Sequence, residues 1–220
     1  MTLILGVQCA DGVIIAADRK VLRGGEADYE DKIHRVGHAS IGFAGLTGLR
    51  DDFLFLVDGE IGQARPTTLY ELKVVVEDVL FSLEKRYNSR LGPGDEVVDG
   101  ILGGLERLDS GAATLYHISG GYAERVRFVS IGHGSPYAQG IAKFLFRDSD
   151  ALNTTEAAKL ASFVVCWVTE DLDTTVGGSP QVITYLNGKG TPITLDAATS
   201  RKMGAKARTL KRELRTKLGL

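Results

Sequence analysis

A chain of 220 residues, 44% of them hydrophobic, is long enough to bury a sizeable core, and a net charge of −2 gives it no global pull toward nucleic acid or a membrane. The charge is unevenly spread, because residues 201–220 hold eight Lys or Arg against one Glu, making that tail +7 and the remainder −9. Cys9 and Cys166 each sit in an apolar run, which argues against a disulfide framework and for a reducing cytoplasm, and no signal peptide or membrane-spanning stretch is present.

The elements follow from periodicity. Two apolar runs, LILGV and GVIIAA, flank Ala10-Asp11-Gly12 and predict a β-hairpin. Residues 18–31 are polar and glycine-containing and read as a loop. KIHRV and ASIGFAG, split by Gly37-His38, predict a second hairpin ending at Gly45. Apolar spacing of three and four then predicts helices over 49–61 and 68–90, the second capped by Thr67 or Thr68 and stopped at Gly92-Pro93-Gly94. Strand character returns over 96–105, 111–118 and 123–131, with turns at Asp109-Ser110-Gly111 and Gly120-Gly121. Helices are expected over 135–146 and from Thr154, with Thr154 or Thr155 as cap, to about Glu170. QVITYL is a further strand, and 199–217 reads as a closing basic helix. Strands, two helices, strands, two helices point to an α+β fold: a four-layer αββα sandwich of two antiparallel sheets, with 1–220 as a single domain.

The motifs in these elements resemble those of proteasome β subunits and the bacterial HslV protease, within the N-terminal nucleophile (Ntn) hydrolases. A threonine, Thr2, opens the first strand. Asp18-Arg19-Lys20 follows it, with Lys32 fourteen residues beyond Asp18 and the AGLTG segment from Ala44 to Gly48. Further on come IGHGSPYAQG from Ile131 to Gly140 and DTTVGG from Asp173 to Gly178. Alone, Thr2 is simply the residue after an initiator methionine and Asp18-Arg19-Lys20 a solvated turn; the ordered set carries the resemblance, which covers roughly Thr2 to Gly190.

What the resemblance implies is a threonine-type peptidase that acts once Met1 is removed. Thr2 would then carry a nucleophilic hydroxyl and an α-amine. The amine, with a pKa of about 7.7–8.0 against about 10.4 for lysine, is a base close to neutrality. Lys32 is expected beside the hydroxyl, Asp18 pairing with Lys32, and the Gly45 N–H as oxyanion donor; Asp173 completes the catalytic set. The family's serine near the amine is replaced by His133, leaving His133 and Ser135 as candidate amine-orienting groups, and Val176 stands where a second serine is usual. His34, His38 and His117 are not spaced as a metal set, and the mechanism needs no cofactor. The expected partners are a peptide or unfolded protein substrate, further copies of the chain in a homo-oligomer, and a regulatory ATPase or ring partner.

Two other fates fit the same motifs. Connectase, an archaeal protein ligase that also resembles proteasome β subunits, resolves such an acyl-enzyme with an amine rather than water; the alternative is a catalytically inactive ring subunit. In the tail, Met203, Ala207, Leu210, Leu214 and Leu218 form an apolar line, which predicts a helix docked on its own domain or on a neighbour ahead of one that binds an acidic partner. Nucleic-acid binding is weaker still, because the tail has no aromatic residue to stack on bases.

Overall fold

The computed structural model describes residues 2–23, 26–45, 47–88, 98–107, 110–195 and 197–218. Met1, Leu46 of the AGLTG segment, the stop at Gly92-Pro93-Gly94 and the turn residue Asp109 lie outside them.

The first hairpin is β1 (Ile4–Cys9) and β2 (Gly12–Ala17), in register from Ile4 opposite Ala17 to Cys9 opposite Gly12. Two later strands flank it, β10 (Phe128–Ile131) on β1 and β11 (Gln181–Leu186) on β2, and β12 (Ile193–Thr194) extends the edge. The second sheet is an antiparallel meander of β5 (Ile33–Val36), β6 (Ala39–Gly45), β7 (Val98–Arg107), β8 (Ser110–Ser119) and β9 (Tyr122–Arg125).

Helices α1 (Thr47–Ala64) and α2 (Leu69–Asn88) cover the second sheet, where Leu49, Phe53, Leu72 and Leu80 pack on Ile41, Phe43 and Leu102. Helices α3 (Ser135–Leu145) and α4 (Thr154–Trp167) cover the first, where Ala138, Ala161 and Val164 pack on Leu3, Leu5 and Ile14. Between the sheets lie Ile4, Ile15, Ile101, Leu115 and Ile183. The four layers are therefore the αββα sandwich expected from the order of elements.

Because side chains alternate along a strand, Leu3, Leu5 and Val7 face the helices while Ile4 and Gly6 face the other sheet, so the start of the chain is buried on both sides. Each fully buried leucine or isoleucine here contributes about 1.5–3 kcal/mol. The sheets approach closely because glycines face large residues: a Cβ on Gly42 would lie 2.8 Å from Ile4 Cγ2. Packing on both faces thus anchors the strand that follows Thr2.

Four local expectations are corrected. Residues 18–31 are not simply a loop, because β3 (Lys20–Arg23) and β4 (Glu26–Tyr29) pair as a ribbon. All four residues of β4 are exposed, so no apolar alternation announced it. The span 123–131 is two strands in different sheets: Val126 N–H donates to Leu115 O (3.0 Å), whereas Gln8 N–H donates to Arg127 O (2.7 Å), and the chain crosses over between them.

The cap of α4 is Asn153, which exchanges hydrogen bonds with Glu156 as a capping box. Thr154 is instead spent on the first hairpin's turn, donating from N–H and Oγ1 to the Asp11 carboxylate. Finally, α4 ends at Trp167, and Val168–Leu172 continues as a wider π turn. The expected cap of α2 does form at Thr68, whose Oγ1 accepts from Glu71 N–H while Glu71 accepts from Thr68 N–H.

The last helix, α5 (Ala197–Leu218), lies against α4 of its own chain, with Met203 packed on the core and Arg208 paired with Glu170 at 2.8 Å. The side chains of Ala207, Leu210, Leu214 and Leu218 fall outside those described. Among the described residues, no helix is long and apolar enough to cross a membrane.

Candidate active site

The site forms where β1 and β2 open onto β6. The buried end of β2 places Asp18, fully enclosed, beside the start of β1. Its carboxylate is surrounded by donors: Oδ1 accepts from Leu3 N–H (2.8 Å) and Lys32 Nζ (2.7 Å), Oδ2 from Lys20 N–H (3.1 Å) and Gly177 N–H (3.0 Å). One oxygen thus holds both the peptide unit directly after Thr2 and the Lys32 ammonium.

Lys32 is 3% exposed, just ahead of β5. Gln181 fixes its backbone by accepting from Lys32 N–H (2.8 Å) and Ile33 N–H (3.0 Å) and donating to Ile33 O (2.9 Å). Burial holds the Lys32 pKa below the ordinary lysine value; the Asp18 carboxylate opposes that shift and Arg50 adds to it. A buried ammonium paired to a buried carboxylate is costly unless every remaining lone pair finds a donor, and the four donors around Asp18 meet that condition.

Thr2 is anchored from the far side by the loop ahead of α3. Gly134 N–H donates to Thr2 O (3.2 Å), and Gly132, at φ +86°, lies so close that a Cβ there would overlap the Thr2 carbonyl. Two cavities meet at Thr2 and Gly45. The smaller, about 50 Å³, is also lined by Val21, Leu22, Lys32, Phe43 and Arg50. The larger, about 360 Å³, is also lined by Ala44, Asp99, Gly132, His133 and Pro136. Gly45 ends β6 with φ +149°, a conformation that suits glycine, and is exposed to the cleft. A separate concavity of about 770 Å³ along β5 and α1 contains none of these residues.

Of the residues singled out from sequence, the structure brings Thr2, Lys32, Gly45 and His133 onto these two cavities, with Asp18 directly behind Lys32. Asp173 and Ser135 line neither. Asp173 is buried, with Oδ1 accepting from Thr175 N–H (2.9 Å) and Oγ1 (2.5 Å) and Oδ2 buried without a protein partner among the described residues. Its loop reaches the site through Gly177, which donates to Asp18 and accepts from Arg19 and Lys20 N–H groups at 2.9 Å each. Ser135 is buried and bonds to Ser130, giving a 2.7 Å hydrogen bond to Ser130 O. Val176, which the sequence resemblance set against a family serine, is a core residue at 1% exposure.

Two charged lining residues went unmarked in the sequence. Arg50, in the first turns of α1, pairs with Glu30 and with Asp51 at 2.8 Å. Asp99, near the start of β7, sits opposite Ala44 and accepts from His117. A lone charge in a helix or strand gives no pattern to read; only the pairing of β7 with β6 puts Asp99 beside the cleft.

Comparison with known proteins adds the following. The sequence profile of the proteasome subunit family matches residues 2–177. "Proteasome subunit beta 2" of Pyrobaculum islandicum is 32% identical over 162 residues, covering 69% of this chain and 76% of that protein. "Proteasome subunit beta 1" of Streptomyces avermitilis is 27% identical over 184 residues, 80% of this chain but only 64% of the relative's length. In three dimensions the chain is similar to Anbu, described as an ancestral beta-subunit, from Yersinia bercovieri (TM-score 0.78, 15% identity, 99% and 97% of the two chains covered). A Gly-1 mutant of Anbu from a Hyphomicrobium strain superposes equally well, at 17% identity over 99% and 97% of the two chains.

Proposed function

The chain belongs to the proteasome subunit family, and on that premise we propose that it is a threonine peptidase of the Ntn type, with Thr2 as nucleophile once Met1 is removed. One observation carries the reading. A single Asp18 oxygen holds Leu3 N–H at 2.8 Å and Lys32 Nζ at 2.7 Å, so the carboxylate locks the strand bearing Thr2 to the buried lysine that shares its cavity.

In this reading the free α-amine of Thr2 takes the hydroxyl proton and Oγ1 attacks the substrate carbonyl. The Lys32 charge favours the deprotonated hydroxyl beside it, and its depressed pKa brings it nearer to exchanging a proton at working pH. Gly45 N–H receives the negative charge of the tetrahedral intermediate, a contribution of roughly 10²–10³ in rate. The leaving amine takes the proton and departs, and water, activated by the same α-amine, attacks the acyl-Thr2 ester and regenerates the hydroxyl. His133, on the cleft, is assigned to orienting the amine; Ser135, through Ser130, and Asp173, through Gly177, shape the loops behind it. No cofactor enters these steps. The substrate is a peptide or unfolded protein, and we place the chain, as one domain, in a cytoplasmic homo-oligomer served by a ring or ATPase partner.

The test is cleavage of a peptide pool by protein whose first residue is Thr2, read by mass spectrometry with an added amine acceptor. Hydrolysed products that vanish in Thr2→Ala support the reading. Products joined to the acceptor instead of hydrolysed would make the chain a ligase, and cleavage unchanged in Thr2→Ala would refute the Thr2 mechanism.

A further inference from the structure

The two cavities that meet at Thr2 are lined by charged side chains of opposite sign. The smaller is walled by Lys32 and Arg50, whose counter-ions are Asp18 behind the lysine and Glu30 and Asp51 around the arginine. The larger has Asp99 as the carboxylate among its described lining residues, beside the side chains of Thr2, Ala44, His133 and Pro136.

Asp99 is carried into the cleft by strand geometry. It shares an inward-facing row with Ile101, which packs between the sheets, while its neighbour across β8 is Ser119. Next to it on the same face is His117, whose Nε2 lies 3.3 Å from Asp99 Oδ1 and whose Nδ1 lies 3.7 Å from Glu124. The histidine is held between two acids, so the side chains at this end of the sandwich run from Asp99 at the cleft through His117 to the exposed Glu124.

We infer that Asp99 is a specificity-determining residue that receives a cationic substrate group, the ammonium or guanidinium of a Lys or Arg side chain, in the larger cleft beside Thr2. Four features support it. The cleft, at about 360 Å³, has room for a long side chain. Asp99 is 28% exposed, open enough to be reached and buried enough for its charge to be felt. The hydrogen bond from His117 holds the Asp99 pKa below the ordinary carboxylate value, so the charge is present at neutral pH. The charged side chains lining the smaller cavity are Lys32 and Arg50, so a cationic group meets a lining carboxylate at Asp99 in the larger cleft and none in the smaller.

This deepens the peptidase reading and rests on it for the meaning of the cleft, but binding tests it without turnover. The probes are fluorescein-labelled hexapeptides, identical except that one position in turn is Arg, norleucine or Glu. Their anisotropy is followed with the Thr2→Ala protein at 0.15 M salt. At one position Arg binds about 10-fold more tightly than norleucine, equivalent to about 1.4 kcal/mol, and Glu binds more weakly than either. Asp99→Asn brings Arg and norleucine within about twofold, and Asp99→Glu, which keeps the charge, retains the preference.

Equal binding of Arg and norleucine at every position, no binding of any peptide, or a preference that survives Asp99→Asn would overturn the assignment. The Glu penalty in the Asp99-containing protein keeps it open to refutation even where Asp99→Asn fails to fold. If Thr2-exposed protein cleaves no peptide while the Arg preference and its loss in Asp99→Asn persist, the peptidase reading fails and the cationic subsite stands.

Discussion

Replacing Asp18 by Asn keeps the shape of the side chain and removes the charge that four donors converge on. Leu3 N–H and Lys32 Nζ point at Oδ1, Lys20 N–H and Gly177 N–H at Oδ2, so whichever way the amide is placed its NH₂ meets two donors where it needs acceptors. Lys32, 3% exposed, loses its buried carboxylate. Removing one member of a buried ion pair costs about 3–5 kcal/mol, which at about 2–4 °C per kcal/mol for a chain of this size lowers the melting temperature by about 6–20 °C. Urea denaturation of Asp18→Asn, Lys32→Met and the double variant measures the coupling directly. The double variant is expected to be more stable than Asp18→Asn alone, because the uncompensated charge leaves with the lysine.

A pH series sharpens this. Without Asp18, the Lys32 pKa falls further below its ordinary 10.5, so between the folded and unfolded values the unfolded chain binds one more proton than the native chain. The stability of Asp18→Asn therefore rises with pH across that window. A loss under about 1 kcal/mol at pH 7, or no rise with pH, would refute the placement of this pair at the centre of the site.

Other outcomes follow from the same geometry. His117 has a raised pKa from its hydrogen bond to Asp99, so its stabilisation is full below the ordinary 6.5 and is lost as pH rises through the folded value. Asp99, depressed first by that same bond, contributes above the ordinary 3.8 and loses the contribution as pH falls through its folded value. Thermal melts of wild type against His117→Gln should therefore differ most between those two limits, by up to about 1 kcal/mol for a partly exposed pair. Gly132→Ala forces a Cβ into the Thr2 carbonyl at φ +86°, and Thr2-dependent turnover should fall at least 10-fold while far-ultraviolet circular dichroism stays native. The Cys9 thiol, 5% exposed, is pushed by burial to about 12, so mass spectrometry at pH 8 should find it unalkylated by iodoacetamide until the protein is unfolded.

The parts legible in the sequence are those written in local chemistry. Ala10-Asp11-Gly12 between two apolar runs marks a hairpin, and the three-to-four spacing of Phe53, Leu56 and Val57 marks a helix, because the turn and the periodicity are properties of neighbouring residues. The β3–β4 ribbon left no such trace, since its outer strand buries nothing. Nor did the crossover between β9 and β10, which occurs at Val126-Arg127 without glycine or proline. At the site, Asp18 and Lys32 came from an ordered motif set, whereas Asp99 depends on which strand lies beside Gly45. That is a long-range pairing of β6 with β7, invisible in the residues around position 99. The capping of α4 shows the same rule on a smaller scale: Thr154 has cap chemistry, but the distant Asp11 claims it.

In the proposed mechanism Thr2, freed of Met1, is the reactive residue. Intact mass before and after treatment with a hydroxyl-acylating β-lactone tests it most directly. The expected result is a chain lacking Met1 that gains one adduct, mapped by tandem mass spectrometry to Thr2, with no adduct on Thr2→Ala. An adduct on another residue, or no adduct on a chain that demonstrably begins at Thr2, would contradict it.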